Sequence, residues 1–279
     1  MTKRVLQSVV RAMPASDGAG VKLMRSLGQS HLARLDPFLM LDNFSSEEAS
    51  DYIAGFPAHP HRGFETVTYM LDGHMRHEDH LGNVGELRSG GAQWMTAGRG
   101  IIHSEMPQQE SGRMRGFQLW INLPAAEKMK PAGYRDIQAG EIPVVDLAKG
   151  GRVKVVAGTV QGVEGPIAGI STQPLMIDVS LADGESFTQP VPEGHNAFVY
   201  PYEGKVVIGA ETLGTNHAGI LSAGSEVEIT AFGGPAKFLL LAAKPLKEPV
   251  VQYGPFVMNS REEIEQAIRD YQSGNFVEA

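Results

Sequence analysis

The sequence predicts an all-β fold made of two copies of a barrel-like unit, with one α-helix at the C-terminal end. Three observations carry that reading. First, 33 glycines and 17 prolines are spread through 279 residues, the punctuation of many short strands joined by tight turns. Second, short apolar–polar alternations recur, while continuous helical periodicity is scarce. Third, one stretch of β-pattern has an echo further along the chain.

Taken in order, the alternating runs are "ETVTYML" (65–71), "GFQLWINL" (116–123), "RVKVVAGTV" (152–160), "LMIDVSL" (175–181), "AFVYPYEG" (197–204), "KVVIGA" (205–210), "SEVEITAF" (225–232) and "KFLLLAA" (237–243). Such runs between glycine turns indicate a sandwich or barrel rather than βαβ units. The echo pairs "YMLDGHM" (69–75) with "YPYEGKV" (200–206), and "LRSGGAQWMTAG" (87–98) with "LSAGSEVEITAF" (221–232). The connecting stretch is 124–143, so residues 1–130 read as the first domain and 131–279 as the second. In "SREEIEQAIRDYQSGN", Ser260 and Glu263 form a capping box, Ile264, Ala267, Ile268 and Tyr271 share one face, and Gly274 is a stop. That helix is expected to pack against a barrel.

Composition narrows the function. Lys and Arg number 24 against 32 Asp and Glu, a net charge of −8, which repels phosphate backbones and disfavours direct nucleic-acid binding. With no cysteine, a disulfide framework, a thiolate metal site and a cysteine nucleophile are excluded. Any metal must rest on His, Asp or Glu. The opening "MTKRVLQSVVRAMPASDG" lacks the apolar core of a secretory signal, and no stretch approaches the ~20 apolar residues that span a bilayer. The expected location is cytoplasmic, or nuclear if the source is eukaryotic.

The chemistry concentrates in two short motifs. "HPHRGFETVTYM" (59–70) holds His59 and His61, which point the same way if the chain is extended. "AGRGIIHSEMP" repeats the spacing with His103 and Glu105, after Gly98 and Gly100, which allow a tight loop. Two same-face pairs converging inside a barrel would present three imidazoles and a carboxylate. That donor set suits a divalent first-row metal with positions left for substrate. Glu65, four residues after His61, shares its face unless Gly63 carries a bulge. It is a fifth ligand, an alternative to Glu105, or a carboxylate orienting a ligand imidazole. His74, His77 and His80 read as solvated residues of a charged turn, and His31, His195 and His217 as isolated. Arg62 and Arg99 flank the motifs and are expected to pair with carboxylates such as Asp42 or Glu65.

The runs "HPHRGFETVTY", "QWMTAGRGIIHSEMP", "LQSV…LDPFLMLDNF" and "EPVVQYGPFVMNSREEIEQAI" together resemble the pirin family of the cupin superfamily, over nearly the whole chain. The resemblance implies two stacked cupin barrels (double-stranded β-helices) and one iron site, Fe(2+), in the N-terminal barrel. Its ligands would fall on His59, His61, His103 and Glu105. The general cupin pattern would use Glu65 instead; the pirin form favours Glu105. Registering "LDG" (71–73) on "YEG" (202–204) sets Pro190 opposite His59 and Pro192 opposite His61, so the second barrel is expected to be metal-free. The resemblance also places Asp42 and Phe44 at the pocket rim. It implies quercetin 2,3-dioxygenase activity, with a flavonol or another aromatic small molecule and O2 as substrates and Glu105 as base. The other reading is a redox-sensing regulatory protein acting through a protein partner. A purely structural metal is disfavoured, because closed structural sites are typically cysteine-rich.

Overall fold

The structure, a computed structural model, describes residues 2–30 and 34–277; His31 lies outside them. The chain forms two compact units, and they are not a simple head and tail. One comprises Pro14–Arg25, Phe38–Ala139 and Leu246–Ala279; the other comprises Met1–Met13, Ser26–Pro37 and Gly140–Pro245. The expected cut after residue 130 lies close to the change at 139, but both chain ends cross over. The C-terminal helix belongs to the unit built from the N-terminal half, and the strand Leu6–Arg11 belongs to the other.

Each unit has one seven-stranded and one four-stranded antiparallel sheet. In the unit containing residues 38–139 the larger sheet runs Gly133–Ile137, Ala92–Thr96, Phe64–Asp72, Met114–Asn122, Phe38–Ser46, Val21–Arg25, Met13–Asp17. Its smaller sheet runs Phe56–His61, Ile101–Pro107, His74–Asp79, Val84–Arg88. The second unit repeats the order: Leu6–Arg11, His217–Leu221, Asn196–Glu203, Ala236–Ala243, Leu175–Leu181, Arg152–Ala157, Val144–Asp146, then Ser186–Pro190, Glu226–Ala231, Lys205–Ile208, Glu211–Gly214. Identical strand order is the duplication that the sequence echo announced.

The order also corrects half of that echo. The strand pair around Gly73 does match the pair around Gly204. By position in the sheets, however, Ala92–Thr96 corresponds to His217–Leu221, whereas Glu226–Ala231 corresponds to Ile101–Pro107. A glycine turn before an alternating strand recurs in any such barrel, so "LRSGGAQWMTAG" matched the wrong partner.

Alternation explains the interiors. In Glu226–Ala231, Val227, Ile229 and Ala231 are buried, while Glu226, Glu228 and Thr230 are half-exposed. They join Val155, Ile177, Val199, Val206, Phe238 and Leu240 in one apolar core filling the second unit. The first unit's interior is divided. Val21, Leu23, Phe44, Met70, Met75, Leu87 and Met114 form one cluster, and Leu39, Met40, Phe64, Trp120 and Val257 another. Polar side chains occupy space between.

The helix spans Arg261–Ser273 with the expected capping box: Ser260 Oγ accepts from the Glu263 N–H, and the Glu263 carboxylate accepts from the Ser260 N–H. Gly274, at φ 79°, ends it. Ile264 and Ala267 are buried against Phe256, Met258 and Phe276, with Ile268 and Ile102 beside them. Tyr271, expected on the buried face, is 45% exposed, although its ring edge meets Phe256 and Phe276. Among the described residues no helix is long and apolar enough to cross a membrane.

Candidate metal centre

Antiparallel pairing assembles the centre. The strand Ile101–Pro107 pairs with Phe56–His61 so that His103 lies directly opposite His59 and Ile101 opposite His61. Directly opposed residues share a face with close Cβ atoms, and His61 joins them by the two-residue period. The three rings meet: centroid separations are 4.4 Å for His59–His103, 4.6 Å for His59–His61 and 5.0 Å for His61–His103. One nitrogen from each lies within 4.8 Å of the other two.

Each ring has one nitrogen turned away from this centre. His59 Nδ1 lies 2.8 Å from the Pro57 carbonyl, which only accepts, so Nδ1–H donates and Nε2 keeps its lone pair. His59 Nε2 stands 3.0 Å from His61 Nε2. The Pro255 carbonyl lies near the His61 ring, although His61 Nδ1 forms no well-aligned hydrogen bond. His103 Nδ1 faces His77, and its Nε2 is buried with no hydrogen-bond partner. His61 and His103 are each 2% exposed. Burial first, and the neighbouring imidazoles second, hold both well below the ordinary histidine range. Neutral rings with converging lone pairs are what a first-row divalent cation requires, so these residues fit such a group. Phe64 and Trp120 flank His61 at 5.1 and 5.2 Å and make an aromatic wall.

Glu105 lies beside the three histidines rather than in their mutually close set. A register shift between His103 and Glu105 sets it opposite Phe56 on one side and His77 on the other. Its carboxylate is buried and oriented by two donors: Thr68 Oγ1 to Oε1 at 2.9 Å, and Gln118 Nε2 to Oε2 at 3.3 Å. Thr68 and Gln118 were not legible as site residues, since both sit in ordinary strand alternation.

Glu65 is elsewhere. Gly63 adopts φ +91°, and a Cβ there would stand 2.0 Å from the Val257 carbonyl, so glycine is required. The strand breaks at this point and resumes at Phe64, and the period shifts by one. Phe64 and Thr68 then meet His61 and Glu105, while Glu65 accepts from Thr96 Oγ1 at 2.6 Å, with Lys130 Nζ 3.8 Å away. Burial raises the Glu65 carboxyl above its usual range.

Arg62 forms the expected kind of buried salt bridge with an unexpected partner. Its Nη1 meets Asp270 of the C-terminal helix at 2.6 Å, Nη2 donates to the Phe276 carbonyl at 3.0 Å, and Nε donates to the Arg99 carbonyl. Asp42 is instead clasped by Arg25 at 2.6–2.7 Å, and Phe44 is core. The Asp42–Arg25 and Glu65–Lys130 contacts correct the pairings expected for Arg62 and Arg99.

His77 is the largest departure. The segment 74–79 is a strand, not a solvated turn, and His77 is 2% exposed. The legible signal was M-x-H-x-D: Met75, His77 and Asp79 alternate with Arg76 and Glu78. His74 contacts Glu86, and His80 is exposed. Among the described residues His195 and His217 join no metal-competent group.

Comparison with known proteins agrees with this architecture. The Pirin family profile matches residues 20–121, and that of the pirin C-terminal cupin domain matches 176–277. A Pseudomonas aeruginosa protein named provisionally as a quercetin 2,3-dioxygenase is 54% identical over 94% of each chain. A pirin-like protein of Caulobacter vibrioides is 49% identical over 99% of this chain and 100% of its own. The crystal structure of a quercetin 2,3-dioxygenase from Acinetobacter baumannii superposes with a TM-score of 0.91 at 35% identity, covering 98% of both chains. With both cupin units matched by profile and by structure, the chain belongs to the pirin family.

Proposed function

We propose that the protein is a metal-dependent dioxygenase that opens the central ring of flavonols such as quercetin, using one Fe(2+) held by His59, His61, His103 and Glu105. The observation that carries the reading is the convergence of three imidazoles, each offering one nitrogen to a common point. The names of the Pseudomonas and Acinetobacter relatives support the substrate class. When bound, the divalent ion would supply Lewis acidity at a flavonol hydroxyl and proximity to O2. Both oxygen atoms enter the ring-opened ester, and one carbon leaves as carbon monoxide.

The chain's own residues have two tasks. Glu105, aimed by Thr68 and Gln118, takes the flavonol hydroxyl proton as a general base. Phe64 and Trp120 wall the centre with aromatic surface, which suits a flat substrate and excludes water. The apolar interior of the second unit supports a single site per chain.

Metal analysis of purified protein together with oxygen uptake over a flavonol panel tests this. The expected result is one divalent metal per chain, flavonol-dependent oxygen consumption, and loss of both in the double change His59→Ala, His61→Ala. Metal binding without any flavonol turnover would overturn the enzymatic reading. Two metals per chain, one of them lost on His195→Ala, would overturn the single site.

A further inference from the structure

A histidine that ligates through one nitrogen needs its other nitrogen protonated and hydrogen-bonded, and the partner on that side decides which nitrogen is free. For His59 that side faces a main-chain carbonyl, which can only accept. His103 has no such carbonyl. Its Nδ1 faces His77 Nδ1 at 3.4 Å, and a neutral imidazole can donate or accept there. Something else must settle the direction.

Asp79 does so. It lies opposite His103 in the pairing of Ile101–Pro107 with His74–Asp79, and its side chain is fully buried. Its Oδ1 accepts from the Leu81 and Asn83 amides at 2.9 and 3.1 Å, and its Oδ2 from Asn83 Nδ2 at 2.8 Å. This carboxylate is fixed, and Oδ2 lies 3.4 Å from His77 Nε2. A carboxylate accepts, so His77 Nε2 carries the proton and Nδ1 carries the lone pair. That lone pair accepts from His103 Nδ1–H, which leaves His103 Nε2 unprotonated, the atom that is buried without a partner. The His77 ring is held in plane by stacking on Tyr134, with centroids 4.2 Å apart and planes at 14°. Gly85, opposite His77, leaves room for the Tyr134 hydroxyl, which a Cβ there would strike at 1.7 Å.

We propose that Asp79 and His77 are positioning residues, a carboxylate–imidazole relay that sets the tautomer of His103 and so presents its Nε2 to the metal. The inference rests on the metal reading above. It says that His103 owes its ligand capacity to a second strand, whereas His59 owes its own to a main-chain carbonyl.

Two variants and two readouts test it. His77→Phe keeps a ring on Tyr134 but removes the acceptor. Asp79→Asn is nearly isosteric: its oxygen stays with the two amides, and its NH2, to which the Asn83 amide turns its own oxygen, presents a donor toward His77 and reverses the relay. In metal-free wild type, nitrogen-15 NMR should show His103 Nε2 as a pyridine-type nitrogen, becoming pyrrole-type in Asp79→Asn. In Co(II) titrations against a chelator, each variant should bind about 10–100-fold more weakly than wild type, and the double variant no more weakly than either single one. Should His77→Phe fail to fold, Asp79→Asn carries both readouts alone. A pyrrole-type Nε2 in the wild type, or Co(II) affinities of both variants within twofold of wild type, would overturn the relay. A wild type that binds no Co(II) would instead overturn the metal reading, with the tautomer still decided by NMR.

Discussion

Arg62 stands between the ligand candidate His61 and the bulge glycine Gly63, yet all its polar contacts reach elsewhere. Its guanidinium joins the Arg99 carbonyl, the Phe276 carbonyl and Asp270, and lies 4.4 Å over the Phe276 ring. The C-terminal segment is thereby tied to the H-x-H strand and to the loop before His103. Replacing Arg62 by Met keeps the stem and its contact with Phe276 while removing every donor. Two main-chain carbonyls then lose a partner, at about 1–3 kcal/mol for each that stays buried. Asp270, 15% exposed at its side chain, can rehydrate and adds little. Apolar burial of the Met tip offsets about 1 kcal/mol. The net expectation is a loss of about 1–5 kcal/mol. Both tryptophans, Trp94 and Trp120, lie in the unit that holds this contact, so tryptophan fluorescence in urea follows that unit alone. Asp270→Asn, which preserves an acceptor for Arg62, should lose clearly less. A loss below about 0.5 kcal/mol in Arg62→Met, the range of an inconsequential surface change, would refute the tie.

Glu105→Gln keeps the size and one oxygen acceptor for the Thr68 and Gln118 donors but removes the charge and the basicity. Turnover per bound metal should fall by roughly 10²-fold or more, and an unchanged rate would remove Glu105 from the base role. Glu65 has a folded-state pKa raised above 4.5 by burial, so above that pH the unfolded state releases its proton first. Its contribution to stability is therefore present below pH 4.5 and lost as pH rises through the folded value. Glu65→Gln should gain stability relative to wild type between pH 4 and 7 in urea titrations; a relative loss over that window would contradict the sign. Lys128, 1% exposed and pushed down to about 8 chiefly by burial, donates to the Gly63 and Val257 carbonyls and to Asn122. Lys128→Met strands three acceptors and should cost about 3 kcal/mol, read as a lower midpoint of the same fluorescence transition.

What the sequence could and could not reveal divides along a physical line. Residues whose role depends on their own strand's period were legible. His59 with His61, and His103 with Glu105, show their shared face by spacing alone, and the capping box is a four-residue signal. The strand Leu175–Leu181 begins and ends where the alternation does. What escaped depends on a second strand or on a broken period. Glu65 left the expected face because one left-handed glycine shifted the alternation. Arg62 met Asp270 across 208 residues, a pairing that no local pattern carries. The crossing-over of the chain ends was hidden because an edge strand can come from either half of a duplicated chain.

His77 is the instructive intermediate. Its strand does alternate, but the apolar half of the alternation is Met75, a histidine and an aspartate. A hydrophobicity scale scores that face as polar and reads a turn. Inside a metal-competent barrel this inversion is itself the signal. A buried face carrying His and Asp two apart is costly unless both are satisfied, and the partners that satisfy them are the turn amides of Leu81 and Asn83 below and His103 across the ladder. An H-x-D on the strand paired to an H-x-E strand therefore marks an inward polar ladder rather than a solvated loop. The cluster 74–79 reads correctly only when its neighbour's motif is read with it.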